Sequence, residues 1–139
     1  RFFTVYGPWG RPDMAYFSFT KKIINNLEIE VFNKGKMKRD FTYIDDIVIG
    51  LKSAVKKNYK CEIFNLGNNK SVSLMYFINC IEEELSLKAH INFKPMQLGD
   101  VVNTYADINK SSEMLDYSPR VNIEKGIKKF VNWYKKYYN

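Results

Sequence analysis

Arg39 is the side chain in this sequence best placed to hold an anion. It lies in residues 38–51, KRDFTYIDDIVIGL, where an Arg-Asp pair leads through an aromatic extended run to Asp45 and Asp46. There the apolar period changes from two to a helical one carried by Ile47, Val48, Leu51, Ala54 and Val55. A strand gives way to a helix, and Asp45 or Asp46 is the expected N-cap. A short carboxylate accepts from first-turn N–H groups and suits the positive end of the helix dipole. A guanidinium just before that junction can face a cleft and clamp an anion through two parallel hydrogen bonds. The expected anion is a diphosphate. The competing reading pairs Arg39 with Asp40 or Asp46 for structure alone, and a side chain locked in a neighbouring ion pair would count against anion binding.

Other chemistries are poorly served. Gly7 and Gly10 follow a strand at Gly-x-x-Gly spacing, but the third position of a dinucleotide cradle is Asp13, whose charge repels a pyrophosphate. Pro8 and Pro12 remove two amide donors as well. With His90 as the one histidine, no metal-ligand spacing can be assembled. His90 reads as a structural strand residue. Asp45 and Asp46 are poor proton donors, because a helix N-terminus favours their charged form.

The elements that must position Arg39 follow from the pattern on either side of it. Residues 2–6 are β-branched and aromatic and end at Gly-Pro, so a strand is expected there. The Gly- and Pro-rich loop 7–13 can approach a ligand closely. Asp13 is the expected cap of a helix with Met14, Phe17, Ile23, Ile24 and Leu27 on its apolar face. Residues 28–33 alternate as a strand, and Lys34-Gly35-Lys36 is expected to turn a hairpin. Beyond the central junction, 62–66 reads as a short strand closed by Gly67-Asn68-Asn69. Ser73 caps a helix with a stripe at Leu74, Phe77, Ile78, Ile81 and Leu85. Residues 90–94 alternate with Ile91 and Phe93 inward, and a loop over 96–102 follows. A short helix starts near Asp107 and stops at Ser118-Pro119. The last helix places Ile123, Ile127, Phe130, Val131 and Tyr134 on one face. Helices mixed with short strands make the fold class α/β or α+β.

The 139 residues are 45% hydrophobic and 16% aromatic, enough to bury the core of one domain or a large part of one. The net charge of +7 comes from lysines scattered over presumed helix surfaces, such as Lys128, Lys129, Lys135 and Lys136. It forms no compact basic stripe, so nucleic-acid binding is not expected, and an anionic substrate is. Cys61 and Cys80 fall in a presumed strand and on an apolar stripe, which fits buried free thiols in a reducing compartment. No apolar run approaches the roughly 18 residues of a membrane span. The expected location is the cytoplasm. Because the sequence opens on Arg1, already inside a strand, a truncated polypeptide is expected.

The order Arg-Asp-Phe-x-Tyr-Ile-Asp-Asp-Ile, with the opening RFFTVYGPWGRPDMA and the block GKMKRDFTYIDDI, resembles the extended short-chain dehydrogenase/reductase family. The likeness is to its nucleotide-sugar epimerases and dehydratases, and most to the UDP-glucuronate 4-epimerase subgroup. It implies an α/β fold: residues 1–139 would be the C-terminal substrate-binding portion of a Rossmann-type molecule. Residues 1–6 and 62–66 would be edge strands of its sheet, and the main dinucleotide-binding portion would be missing. The resemblance implies NAD as cofactor, a UDP-sugar as partner, homodimers of the complete enzyme and a role in surface (capsular) polysaccharide synthesis. In such enzymes NAD takes a hydride from the sugar while a Tyr-x-x-x-Lys pair removes a hydroxyl proton. No tyrosine here has lysine four residues on; Tyr6, Tyr16, Tyr43, Tyr59, Tyr76, Tyr105, Tyr117 and Tyr134 are followed by Gly, Thr, Ile, Ile, Cys, Asn, Val and Tyr. These residues alone are therefore not expected to catalyse epimerisation.

What the resemblance leaves is recognition. It places Thr4 at the sugar, where a hydroxyl suits a carboxylate, and Arg11 in the substrate cleft. It gives Val31 and Phe32 to the uracil, through backbone hydrogen bonds and an aromatic face, and Arg39 to the diphosphate. Gln97 and Asp100 would meet diphosphate and ribose, Gln97 standing where relatives with neutral sugars carry arginine. Tyr6, Gly7 and Pro8 would border the nicotinamide. Each has an ordinary structural alternative: a strand threonine, a solvent-exposed arginine, core strand residues or a plain turn. Other enzymes of this architecture remain open, namely UDP-glucuronate decarboxylase, UDP-glucose 4-epimerase and dTDP-glucose dehydratase. So does a non-catalytic sugar-nucleotide or subunit-binding remnant.

Overall fold

A computed structural model describes residues 1–138. Strand β1 (Thr4–Tyr6) passes through the Gly-Pro loop to helix α1 (Ala15–Ile24) and strand β2 (Ile29–Phe32). Strand β3 (Lys38–Tyr43) runs straight into helix α2 (Ile44–Lys57). Then come β4 (Ser71–Ser73), α3 (Leu74–Leu85), β5 (Ile91–Lys94), α4 (Asn109–Leu115) and α5 (Ile123–Tyr138). One sheet has the order β1-β3-β4, with β1 parallel and β4 antiparallel to the central β3. A second sheet is the parallel pair β2-β5.

Two apolar clusters hold these layers. The larger joins β1 and β3 to α1, α3 and α5 through Phe17, Phe77, Ile81, Ile127, Phe130 and Val131, with Phe41 stacked on Phe77 at 4.3 Å. The stripes read from the sequence on α3 and α5 are the faces buried here, apart from Leu74, which is part-buried. The smaller cluster puts Ile47 and Leu66 against Ala106, Leu115 and Tyr117. No described helix is long and apolar enough to cross a membrane.

Two buried carboxylates stitch distant segments to β3 and α2. Asp40 accepts from Thr42 Oγ1 at 3.1 Å, Asn68 N at 2.7 Å and Ala106 N at 3.0 Å. Asp46 accepts from the backbone of Arg120 at 3.1 Å and Val121 at 3.0 Å. Neither aspartate in Asp45-Asp46 is the N-cap of α2. Tyr43 holds that position, so both carboxylates sit in the first turn, where the helix dipole still favours them.

Several other expectations are corrected. Lys34-Gly35-Lys36 turns no hairpin: residues 33–35 curl through positive φ values, and β2 pairs with β5 rather than β3. Asp13 does not cap α1, because its carboxylate is bonded to Arg11. Ser73 does cap α3, accepting from Tyr76 N at 3.2 Å. Residues 62–66 form only a single bridge, Leu66 to Phe2. Phe93 points outward and is 53% exposed. On α2 the buried positions are Asp46, Ile47 and Gly50, leaving Val48, Leu51 and Val55 exposed. Both cysteines are free, but only Cys80 is buried.

Candidate functional site

In an extended strand, side chains alternate between faces, so β3 sends Arg39 and Phe41 one way and Asp40 and Thr42 the other. The Asp40 face goes into the interior. The Arg39 face opens on a cavity of about 350 Å³, within the range of small-molecule pockets. Thr4 stands in register with Phe41 on the neighbouring β1 and so joins the same wall. Phe32, at the end of β2, forms another side, and Asp100 reaches in from the loop over 96–102.

That loop is docked by the backbone at the start of β3. Lys38 N donates to Val102 O at 2.8 Å, and Thr104 N donates to Lys38 O at 3.2 Å. Arg39 Nη1 donates to Lys38 O at 2.9 Å and Val102 O at 3.4 Å, while Nη2 meets Asp100 Oδ1 at 2.7 Å. The pairing partner is therefore Asp100, not Asp40 or Asp46. Its contact is single rather than the two parallel bonds of a closed guanidinium–carboxylate fork. The two side chains remain 20% and 32% exposed on the cavity wall. This part-buried pairing counts against a wholly free guanidinium, but because Asp100 engages Nη2 alone the contact can be shared with a stronger anion.

The other residues singled out from the sequence divide. Arg11 is 76% exposed, donates from Nε to Asp13 Oδ1 at 3.0 Å, and borders an adjoining open cleft of about 660 Å³ that shares Thr4. The Val31 side chain is fully buried, so it belongs to the core and only its backbone can serve a ligand. Gln97 is exposed and does not line the cavity; its carbonyl accepts from Asp100 N at 3.3 Å and shapes the loop.

The loop expected to border a cofactor serves the chain's own packing. Tyr6 is 1% exposed among Tyr16, Phe41 and Tyr43, and burial drives its hydroxyl pKa far above the ordinary value. Its ring is not available to a ligand. Gly7 has φ +143°, and a Cβ there would lie 2.6 Å from Ile44 Cγ2; one at Gly10 would lie 1.5 Å from Tyr16 Oη. The space a glycine-rich cradle leaves for a pyrophosphate is filled by side chains. These residues do not by themselves fit a dinucleotide, and Gly7 and Pro8 can offer one no more than a backbone edge.

One wall escaped the sequence reading. Ala15, Ser18, Phe19 and Lys22 line the cavity from α1, at offsets 0, 3, 4 and 7 that bring them onto one helical stripe. In sequence Ser18 and Lys22 show only as polar positions beside the apolar stripe, which a solvated face would show equally. Met37 and Leu74 supply further apolar lining.

Residues 1–67 match the model of the NAD-dependent epimerase/dehydratase family. An uncharacterised protein of Methanocaldococcus jannaschii is 60% identical over 134 residues, covering 96% of this chain and 41% of that protein. Protein CapI of Staphylococcus aureus is 45% identical over 158 residues, covering 99% of this chain and 47% of its own length. Among solved structures, UDP-glucuronic acid 4-epimerase from Bacillus cereus, in complex with UDP-glucuronic acid and NAD, superposes with a TM-score of 0.90 at 35% identity. That match covers 98% of this chain and 44% of the other. The chain thus spans less than half the length of the relatives it matches. Residues 1–67 thus belong in sequence to the NAD-dependent epimerase/dehydratase family, and the α/β fold throughout matches part of a Rossmann-type extended short-chain dehydrogenase/reductase.

Proposed function

We propose that this chain supplies the UDP-sugar-binding wall of an NAD-dependent nucleotide-sugar epimerase that acts on UDP-glucuronate in surface polysaccharide synthesis. The observation that carries this reading is the single cavity onto which Thr4, Phe32, Arg39 and Asp100 all open, from four separate segments. Arg39 binds the diphosphate, Asp100 accepts from ribose hydroxyls, and Phe32 gives the base an aromatic face. Base–aromatic stacking is worth about 1–3 kcal/mol. The backbone of Val31 and Phe32 contributes too, since β2 has β5 on one side only and its other edge carries no described strand. Thr4 and, from the adjoining cleft, Arg11 meet the sugar carboxylate. Gln97 has no part in this set. The hydride and proton steps are not assigned to these residues, which contain no Tyr-x-x-x-Lys pair. A cytoplasmic location agrees with two unpaired thiols, one of them exposed.

Calorimetric titration of the full polypeptide with UDP-glucuronate, UDP-glucose and NAD tests the reading. UDP-glucuronate is expected to bind most tightly. Binding of the neutral sugar nucleotide alone would overturn the substrate assignment, and absence of binding to either sugar nucleotide would overturn the site.

A further inference from the structure

Five charged side chains line the cavity: Asp13, Lys22, Glu30, Arg39 and Asp100. Four of them have partners. Asp13 is paired with Arg11, Glu30 with Lys94 at 3.7 Å, and Arg39 with Asp100. Among the described residues Lys22 has no ion-pair partner, although it is half-buried on the helix surface that faces the space. Once the paired charges are set against each other, the cavity wall carries one spare charge, and it is positive.

We infer that Lys22 is a second phosphate-binding cation of this site, gripping the diphosphate of a nucleoside diphosphate ligand from α1 while Arg39 holds it from β3. The inference deepens the proposed UDP-sugar reading and rests on it. Arg39 meets a carboxylate at one end, so it cannot by itself neutralise two linked phosphoryl groups. A lysine suits the complementary task, because its ammonium is a compact charge on a flexible stem and needs no fixed fork geometry. The sequence places Ser18 one helical turn before Lys22, also on the cavity wall, where its hydroxyl can donate to a phosphate oxygen beside the ammonium. Ala15 and Ser18 are small, which keeps the α1 wall open.

The test compares UDP with uridine on the full polypeptide and its Lys22→Met and Lys22→Arg variants. A charge-assisted hydrogen bond is the interaction at stake, so Lys22→Met is expected to weaken UDP binding about tenfold. Uridine binding should stay unchanged, and Lys22→Arg should retain most of the UDP affinity. Each variant's thermal transition separates loss of a contact from loss of fold. Unchanged UDP binding in Lys22→Met, or an equal loss for uridine, would remove the role of Lys22 and leave the UDP-sugar reading in place. Failure of the unaltered polypeptide to bind UDP would remove both.

Discussion

Asp40 is fully buried, and the donors it satisfies come from residues 42, 68 and 106. It adjoins Arg39 in sequence yet faces away from it, because consecutive strand residues point to opposite sides. One Arg-Asp dipeptide thus separates two tasks, a cation on the cavity wall and an anion that ties three segments together in the interior. Replacing Asp40 with alanine leaves buried N–H groups without acceptors. The expected cost is about 2–4 kcal/mol of folding stability, measured by denaturant titration. Arg39→Met removes no such buried bonds and should shift stability far less. Asp46 follows the same logic, which explains why neither it nor Asp40 is paired with Arg39. Local sequence could not disclose this: the backbone donors to Asp46 lie 74 and 75 residues away.

Among the elements, α3 and α5 were legible and the short strands were not, while α2, at 14 residues, buries Asp46, Ile47 and Gly50 rather than the stripe its sequence suggests. The buried faces of α3 and α5 could be read residue by residue, since 12 and 16 residues repeat the helical spacing several times. Strand β4 has three residues, too few to show a period, and the partner of β2 is fixed by tertiary packing. On α1 only Phe17 and Ile23 of the expected apolar stripe are buried, with Ile24 and Leu27 exposed, and the cavity-facing stripe of Ala15, Ser18 and Lys22 was not visible, because a solvated face and a ligand-facing one look alike in sequence. The contact of α5 with β1 gives a test at this scale. A Cβ on Gly126 would lie 1.9 Å from Tyr6 Oη, and Tyr6 is locked among three other rings. Gly126→Ala therefore overpacks a rigid contact despite the higher helix propensity of alanine. Its expected effect is a loss of about 1–3 kcal/mol, seen as a lower thermal midpoint.

For the molecule as a whole, the family and the α/β class were written in the RDFxYIDDI and RFFTVYGPWGRPDM blocks, but the cavity was not. It exists only where β1, β2, β3, α1 and the 96–102 loop converge, and that convergence depends on Lys38 bonding the loop backbone. The same convergence retains Thr4, Phe32, Arg39 and Asp100 as candidate ligand contacts while consigning the side chains of Val31 and Tyr6 to the core. The central claim is that this shared space holds the diphosphate of a UDP-sugar through Arg39. Its most direct test is the dissociation constant for UDP of the full polypeptide and its Arg39→Met variant at equal ionic strength. Loss of a charge-assisted pair of hydrogen bonds predicts at least about a tenfold weakening. The same UDP affinity in both proteins would show that the guanidinium serves only the loop through Asp100, and would contradict the account.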